Sequence, residues 1–324
     1  MSGLGEFARM TVEEAITAAA AKYSNRGKWG PNDHVGTAND IPPEKLRTAA
    51  GLVRKGKTFS LAFPFDASGP QTGQFGRINP LHSMTLTGSD CASGNVPLPH
   101  GVGFSDDHIY MPLQCGTQWD ALSHAFDRNV MWNGYPCTEV SSFGARKCGV
   151  EHLADRLTTR GVLLDVARAK NLDALPDGYA ISEGDLVATI ERQGSTSRVE
   201  RGDIVVVRTG QLGMRRAAGW GDFAGGAAPG LSFSTLGWLH KSEIAAVATD
   251  TWGVEVKPNE WPGAFQPFHQ VAIPHLGLLL GEMWSVDELA RDCIADGVYE
   301  CLLVAQPLPI SGAVGSPVNP IAVK

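Results

Sequence analysis

Gln114-Cys115-Gly116-Thr117-Gln118-Trp119-Asp120-Ala121-Leu122-Ser123-His124 is the stretch on which the reading of this chain turns. In an extended strand alternate side chains share a face. Gln114, Gly116, Gln118, Asp120 and, if the chain stays extended, His124 then line one surface. That face presents two amides, a carboxylate and an imidazole, and Gly116 leaves room for a ligand to approach the backbone. It follows directly on the apolar run Ile109-Tyr110-Met111-Pro112-Leu113. An ordinary solvated strand face would show the same residues, so the pattern alone leaves both readings open. Cys115 falls on the opposite face and reads as structural.

The rest of the chain narrows the class. Its 324 residues suffice for one large or two ordinary domains. A chain 43% hydrophobic and 19% charged is that of a soluble globular protein, and 38 Gly with 20 Pro imply turns and long loops instead of a helical bundle. The net charge of −7 argues against nucleic acid as a partner, because phosphate binding needs clustered Lys and Arg. No apolar run approaches a membrane span. Residues 1–23 read as a surface helix in which Glu13, Glu14 and Lys22 interrupt the alanines, unlike a signal peptide. The six cysteines show no C-x-x-C pairing and are expected to be reduced, in a cytoplasmic protein.

Several elements follow from local pattern. Residues 42–55 read as a helix, with Pro and Glu at its start and basic residues late. Residues 58–63, 161–167, 202–210 and 243–250 read as strands, and residues 64–93 as a loop carrying Arg77, Asn79, Pro80 and His82. Ser182 is a plausible helix N-cap with Asp185 in the capping-box slot, and Asp250 reads as a loop anchor at a strand end. Near the C-terminus, His269, His275 and Glu282 flank an apolar segment. A carboxylate ending such a run needs a partner if buried, and a metal would provide one. There is no G-x-S-x-G elbow and no Walker loop.

The opening stretch resembles the signature of the cyclase / kynurenine formamidase-like family of metal-dependent hydrolases, written H-x-G-T-H-x-D-x-P-x-H. Gly116, Thr117, Asp120 and His124 match in place, the two other histidines fall on Gln114 and Gln118, and the proline on Leu122. Further segments are similar to longer members of that family: Trp29-Gly30 through Asn39, Arg77 to His82, Arg208-Thr209-Gly210, and Gly315 to Pro320. The resemblance implies a single α/β domain over residues 1–324, a mixed β-sheet flanked by helices in a swivelling β/β/α arrangement. It also implies an N-terminal helical extension over about residues 1–57, and a homodimer or homotetramer.

Carried over residue by residue, the resemblance makes Asp120, His269 and Glu282 metal ligands and His124 the catalytic acid/base. His269 fits better than His275, because a helix must fit between the histidine and Glu282. Gln114 and Gln118 either contact a metal or orient water and substrate, and amide oxygen favours manganese or magnesium over zinc. The favoured expectation is one divalent ion, Mn or Zn. Arg77, His82, Trp119 and Tyr135 are candidate substrate contacts. The implied activity is hydrolysis of a small cyclic ester or amide, such as a lactone, an imide or an isatin-like ring, or of an arylformamide. Two alternatives stand beside it: a metal-free cyclase or dehydratase with His124 as base, and an inactive small-molecule-binding protein. The joint presence of Asp120, His124, His269 and Glu282 favours an enzyme.

Overall fold

Consecutive β-branched residues form the middle of the sheet. The strand Ile204–Arg208 runs Ile-Val-Val-Val and is buried on both faces, as parallel strands covered by helices are. In the computed structural model, which describes residues 3–324, it pairs in parallel with Thr158–Asp165 on one side and Ala246–Thr249 on the other. Leu279–Glu282 extends this parallel block. Antiparallel strands complete both flanks: Glu300–Val304, Ile321–Val323 and Thr58–Ser60 beyond Thr158–Asp165, and Gln118–Asp120 then Gly315–Pro317 beyond Leu279–Glu282. The result is the expected α/β architecture, a nine-stranded mixed sheet with helices against it.

Local chemistry accounts for the helices. Ser182 and Asp185 form a reciprocal capping box on Glu183–Gln193, as their spacing suggested. Pro43–Ala50 begins with proline at its first turn, packs over Thr158–Asp165 and ends at Gly51, short of the expected residue 55. Val12–Tyr23 buries Ala15, Ile16, Ala19 and Tyr23 against this chain's own core. No helix among the described residues is long and apolar enough to cross a membrane. The six cysteines are all free thiols.

One expected loop is instead partly a strand. Leu81–Leu86 pairs antiparallel with Asp106–Tyr110 in a two-stranded hairpin apart from the main sheet. Asp106 and Asp107 lie on this exposed strand, where solvent accommodates their charges, and Asp107 accepts from His82.

The N-terminal segment is pinned to the core beside the signature strand. Thr37 Oγ1 donates to the Ala245 and Gly277 carbonyls at 2.7 and 3.0 Å, and Asn25 Nδ2 donates to Leu276 O at 2.9 Å. Gly36 makes the crossing possible. Its φ is +57°, and a Cβ there would collide with the Gly277 carbonyl oxygen and lie 2.8 Å from Leu122 Cδ1. Both obstacles are backbone or packed core, so Gly36→Ala is expected to cost about 2–4 kcal/mol of stability. Chemical denaturation of the two proteins measures this; an unchanged midpoint would mean the segment does not depend on that approach.

Candidate active site

Three residues of antiparallel pairing build the site. Gln118 lies opposite Glu282, Trp119 opposite Gly281, and Asp120 opposite Leu280. The Trp119 indole turns into the core, meets Trp284 edge-on at 4.9 Å between ring centroids, and donates to Ala305 O at 2.6 Å. Gly281 is what lets it lie there: a Cβ on Gly281 would be 2.9 Å from the Trp119 ring and 2.7 Å from Ala248 Cβ. With Trp119 and Gly281 committed to that face, Gln118, Asp120 and Glu282 project from the other.

The fourth group comes from the short helix Pro267–Val271. Gln266, in a left-handed conformation at φ 48°, turns the chain into it, and Pro267 occupies its first turn. Glu255 caps this turn, accepting from Phe268 N at 3.1 Å and His269 N at 3.0 Å, and from Asn259 Nδ2 at 3.0 Å. The same carboxylate meets His269 Nδ1 at 2.5 Å, which leaves Nε2 facing the strands. Nε2 is 3.2 Å from Glu282 Oε1 and 3.9 Å from Asp120 Oδ2. One ligand atom from each of Asp120, His269 and Glu282 lies within 4.8 Å of the others, and all three residues are buried.

This cluster is electrostatically costly by itself. Burial, reinforced by the nearby Asp120 charge, pushes the Glu282 carboxyl up to about 7. Burial alone would lower His269, but the Glu255 and Glu282 carboxylates outweigh it and raise the imidazole to about 10. Gln118 Nε2 donates to Glu282 Oε2 at 2.8 Å and to Asp120 Oδ1 at 3.4 Å. Its own Oε1 is buried with no partner. Two acidic oxygens and one imidazole nitrogen form a donor set that fits a divalent cation.

The cluster opens on a cavity of about 220 Å³ lined by Phe75, Arg77, His124, Trp252, Phe265 and Glu282. His124 reaches it by a tight turn, its amide donating to Ala121 O at 2.9 Å, instead of by the extended backbone expected from the motif. Its side chain is 25% exposed, and Nε2 lies 3.7 Å from Asp120 Oδ1. Burial holds this imidazole below its usual value, with Arg77 and His269 adding to the effect and Asp120 opposing it.

Other expectations for the site are corrected. Trp119 is fully buried on the far side of its strand and cannot touch a ligand in the cavity. Tyr135 donates to Pro31 O at 3.1 Å and packs against His34, away from the cavity. His82 pairs with Asp107 on the exposed hairpin, and does not line the cavity in this chain. Gln114 lies in the turn before the strand, because the regular strand spans only Gln118–Asp120, and its buried Nε2 has no partner. His275 pairs with Asp127 at 2.8 Å on the next turn of helix, away from Glu282. Asp250 anchors a loop, accepting from Thr209 N, Thr209 Oγ1 and Gly210 N, each at 2.7 Å. Sequence reading missed Glu255, although a lone acid in Val254-Glu255-Val256 carries the same signal that drew attention to Glu282. It also missed Phe75, Trp252 and Phe265, which no local pattern connects.

Fold and site together define a mixed-sheet α/β protein with a buried Asp–His–Glu cluster open to an aromatic-walled cavity. The chain belongs to the Cyclase family, whose profile matches residues 56–256. A crystal structure described as that of a novel cyclase superposes with a TM-score of 0.85 at 41% identity, covering 94% of this chain and 99% of that one. Isatin hydrolase A from Ralstonia solanacearum shares the fold with a TM-score of 0.61 at 21% identity, over 87% of this chain and 97% of its own. A predicted metal-dependent hydrolase from Bacillus stearothermophilus does so at 0.52 and 15%, over 83% and 98%. A search of curated proteins finds no match.

Glu255 holds the ring of His269 without facing the cluster itself. Glu255→Gln is therefore expected to weaken binding of manganese or zinc by about 10–100-fold, as loss of such supporting carboxylates does. Calorimetric titration of the metal-stripped protein reads this directly. Unchanged affinity would reduce Glu255 to a helix cap.

Proposed function

We propose that this protein is a metal-assisted hydrolase that opens a small cyclic ester, amide or imide, with cleavage of an arylformamide as the related acyclic case. The observation that carries the reading is the convergence of Asp120, His269 and Glu282, beside a partly exposed His124 in a cavity. Asp120, His269 and Glu282 would hold one divalent ion, and rotation of the Gln118 amide would offer its carbonyl oxygen as a further donor. Such an ion supplies Lewis acidity toward a carbonyl and makes water more acidic.

The chain's own residues supply the remainder. Because His124 titrates below its usual range, it is neutral at pH 7 and its Nε2 can accept the proton of an attacking water. The protonated imidazole, stabilised by Asp120, then returns the proton to the departing nitrogen or oxygen. Glu255 keeps His269 in one orientation, with Nε2 toward the carboxylates. The cavity, at about 220 Å³, is below the ~300–1,000 Å³ of sites for drug-sized ligands, which favours a compound of one or two rings. The isatin hydrolases among the structural neighbours are consistent with a cyclic amide.

Elemental analysis of protein purified without chelator or metal-affinity tag is expected to find about one divalent ion per chain, with Asp120→Asn depleted of it. Absence of bound manganese or zinc even after soaking would overturn the reading. His124→Ala should keep the ion and lose about 10²–10⁴-fold in turnover of lactones, cyclic imides or arylformamides. Loss of ion and turnover together would make His124 a ligand instead. In the native enzyme the rate should hold at neutral pH and fall only below the ordinary histidine range, as His124 becomes protonated. Gln118→His should tighten zinc binding, since imidazole nitrogen is the better zinc donor; an unchanged affinity would mean that Gln118 does not face the ion.

A further inference from the structure

Arg77 is a cation delivered to the cavity and left without a counter-charge. The loop that carries it is fastened at three places. Gln71 Nε2 donates to Cys115 O at 2.8 Å, and Trp220 Nε1 donates to Ser68 O at 2.7 Å. Gln74 lies against Gly225, where any Cβ would collide with its amide. The arginines of the sheet have carboxylate partners, Arg160 with Asp203 at 2.7 Å and Arg208 with Asp165 at 3.0 Å and Asp287 at 2.8 Å, whereas the loop residue Arg26, away from the cavity, donates only to the Pro274 carbonyl. Among the described residues no carboxylate pairs with Arg77, although its charge is felt at both His124 and Glu282. The carboxylates of the cluster are already engaged by His269 and Gln118.

The surroundings of the guanidinium are flat and apolar. It lies 5.9 Å from the centre of the Phe75 ring, a cation–π contact that helps hold its orientation. Phe75 and Phe265 meet at the cavity rim with centroids 5.8 Å apart and planes tilted by 55°, and they are 60% and 54% exposed. Trp252 lies deeper in the same cavity, its Nε1 tied to Gly226 O at 2.9 Å. Exposed aromatic rings at the rim of a small cavity stack planar ligands, and an unpaired arginine fork is suited to a carboxylate.

We propose that the compound taken by this cavity is a planar ring carrying a permanent carboxylate or equivalent anion, and that Arg77 is the residue selecting it. The inference deepens the reading of this site as that of a hydrolase for small ring compounds and rests on it for the reacting end. Recognition of the anion can nevertheless be read without turnover. The charge forms no ion pair that holds the fold, and the Phe75 and Phe265 rings offer faces for a planar ligand beside the guanidinium.

Calorimetric titration of the metal-loaded full chain with benzoate and with benzamide separates the possibilities, because the two differ little except in charge. The native protein is expected to bind benzoate about tenfold more tightly, the scale of one charge-assisted contact. In Arg77→Gln the ratio should fall to about threefold or less while benzamide affinity is retained. Arg77→Lys, which keeps the charge, should hold a ratio above that value even if the glutamine variant disturbs the loop. Equal affinities in the native protein, or a ratio still above threefold in Arg77→Gln, would overturn the proposal, the latter assigning the anion to the metal end of the site. An Arg77-dependent preference in a protein that hydrolyses none of the cyclic compounds would leave this inference standing while the hydrolase reading fell. Turnover with no such preference would do the reverse.

Discussion

Everything at the site depends on the register between Gln118–Asp120 and Leu279–Glu282. Because side chains alternate, one choice of facing pairs sends Trp119 across Gly281 into the core and sends Gln118, Asp120 and Glu282 to the opposite face. A slip of Gln118–Asp120 by one residue would turn Gln118 and Asp120 toward the tryptophans and bring the Trp119 indole to the face of Glu282. The large apolar contact of Trp119 with Trp284 therefore enforces the position of the polar groups behind it. Thr117 adds a local clamp, donating to Met283 O at 2.6 Å just outside the paired segment.

That register brings together charges that repel. Asp120 and Glu282 are both buried, and burial with mutual repulsion explains why the Glu282 proton is held so much more tightly than in water. His269 relieves part of this strain by sharing its two ring nitrogens between Glu255 and Glu282. A carboxylate, an imidazole and a second carboxylate in one line keep the ring from rotating, so the cluster keeps its shape at the end of a rigid sheet. The neutral Gln118 fits this setting: its amide group donates to both acids where an additional anion would have repelled them. Its carbonyl oxygen is buried without a partner, as are Gln114 Nε2 and Ser123 Oγ of the same stretch.

The opposite wall is made differently. Phe75, Arg77 and Phe265 come from loops, held in place by side-chain contacts instead of strand pairing. Paired strands, a capped helix and a tight turn thus carry the groups suited to chemistry, and latched loops carry the groups suited to choosing a ligand. Such a division lets the ligand-facing residues vary without disturbing the register on which the cluster depends.

Much of this was legible in one dimension. Apolar β-branched runs such as Ile204 to Val207 marked the buried strands, Ser182 and Asp185 marked a capped helix, and the spacing of Gly116, Thr117, Asp120 and His124 marked the family. Those features are local, so residue type and spacing suffice to show them. Which aromatic residues face the cavity was not legible, because Trp119 beside Asp120 looks like a substrate contact until the alternation of the strand and the room left by Gly281 send it inward. Glu255 and Trp252 could not be joined to His269 and His124 by spacing, since each pair is linked only through folded loops. The sequence by itself determined the family, the central strands and the polar groups that could form a site. Only the tertiary structure decided which of those groups meet, because strand register and loop closure act between residues far apart in the chain.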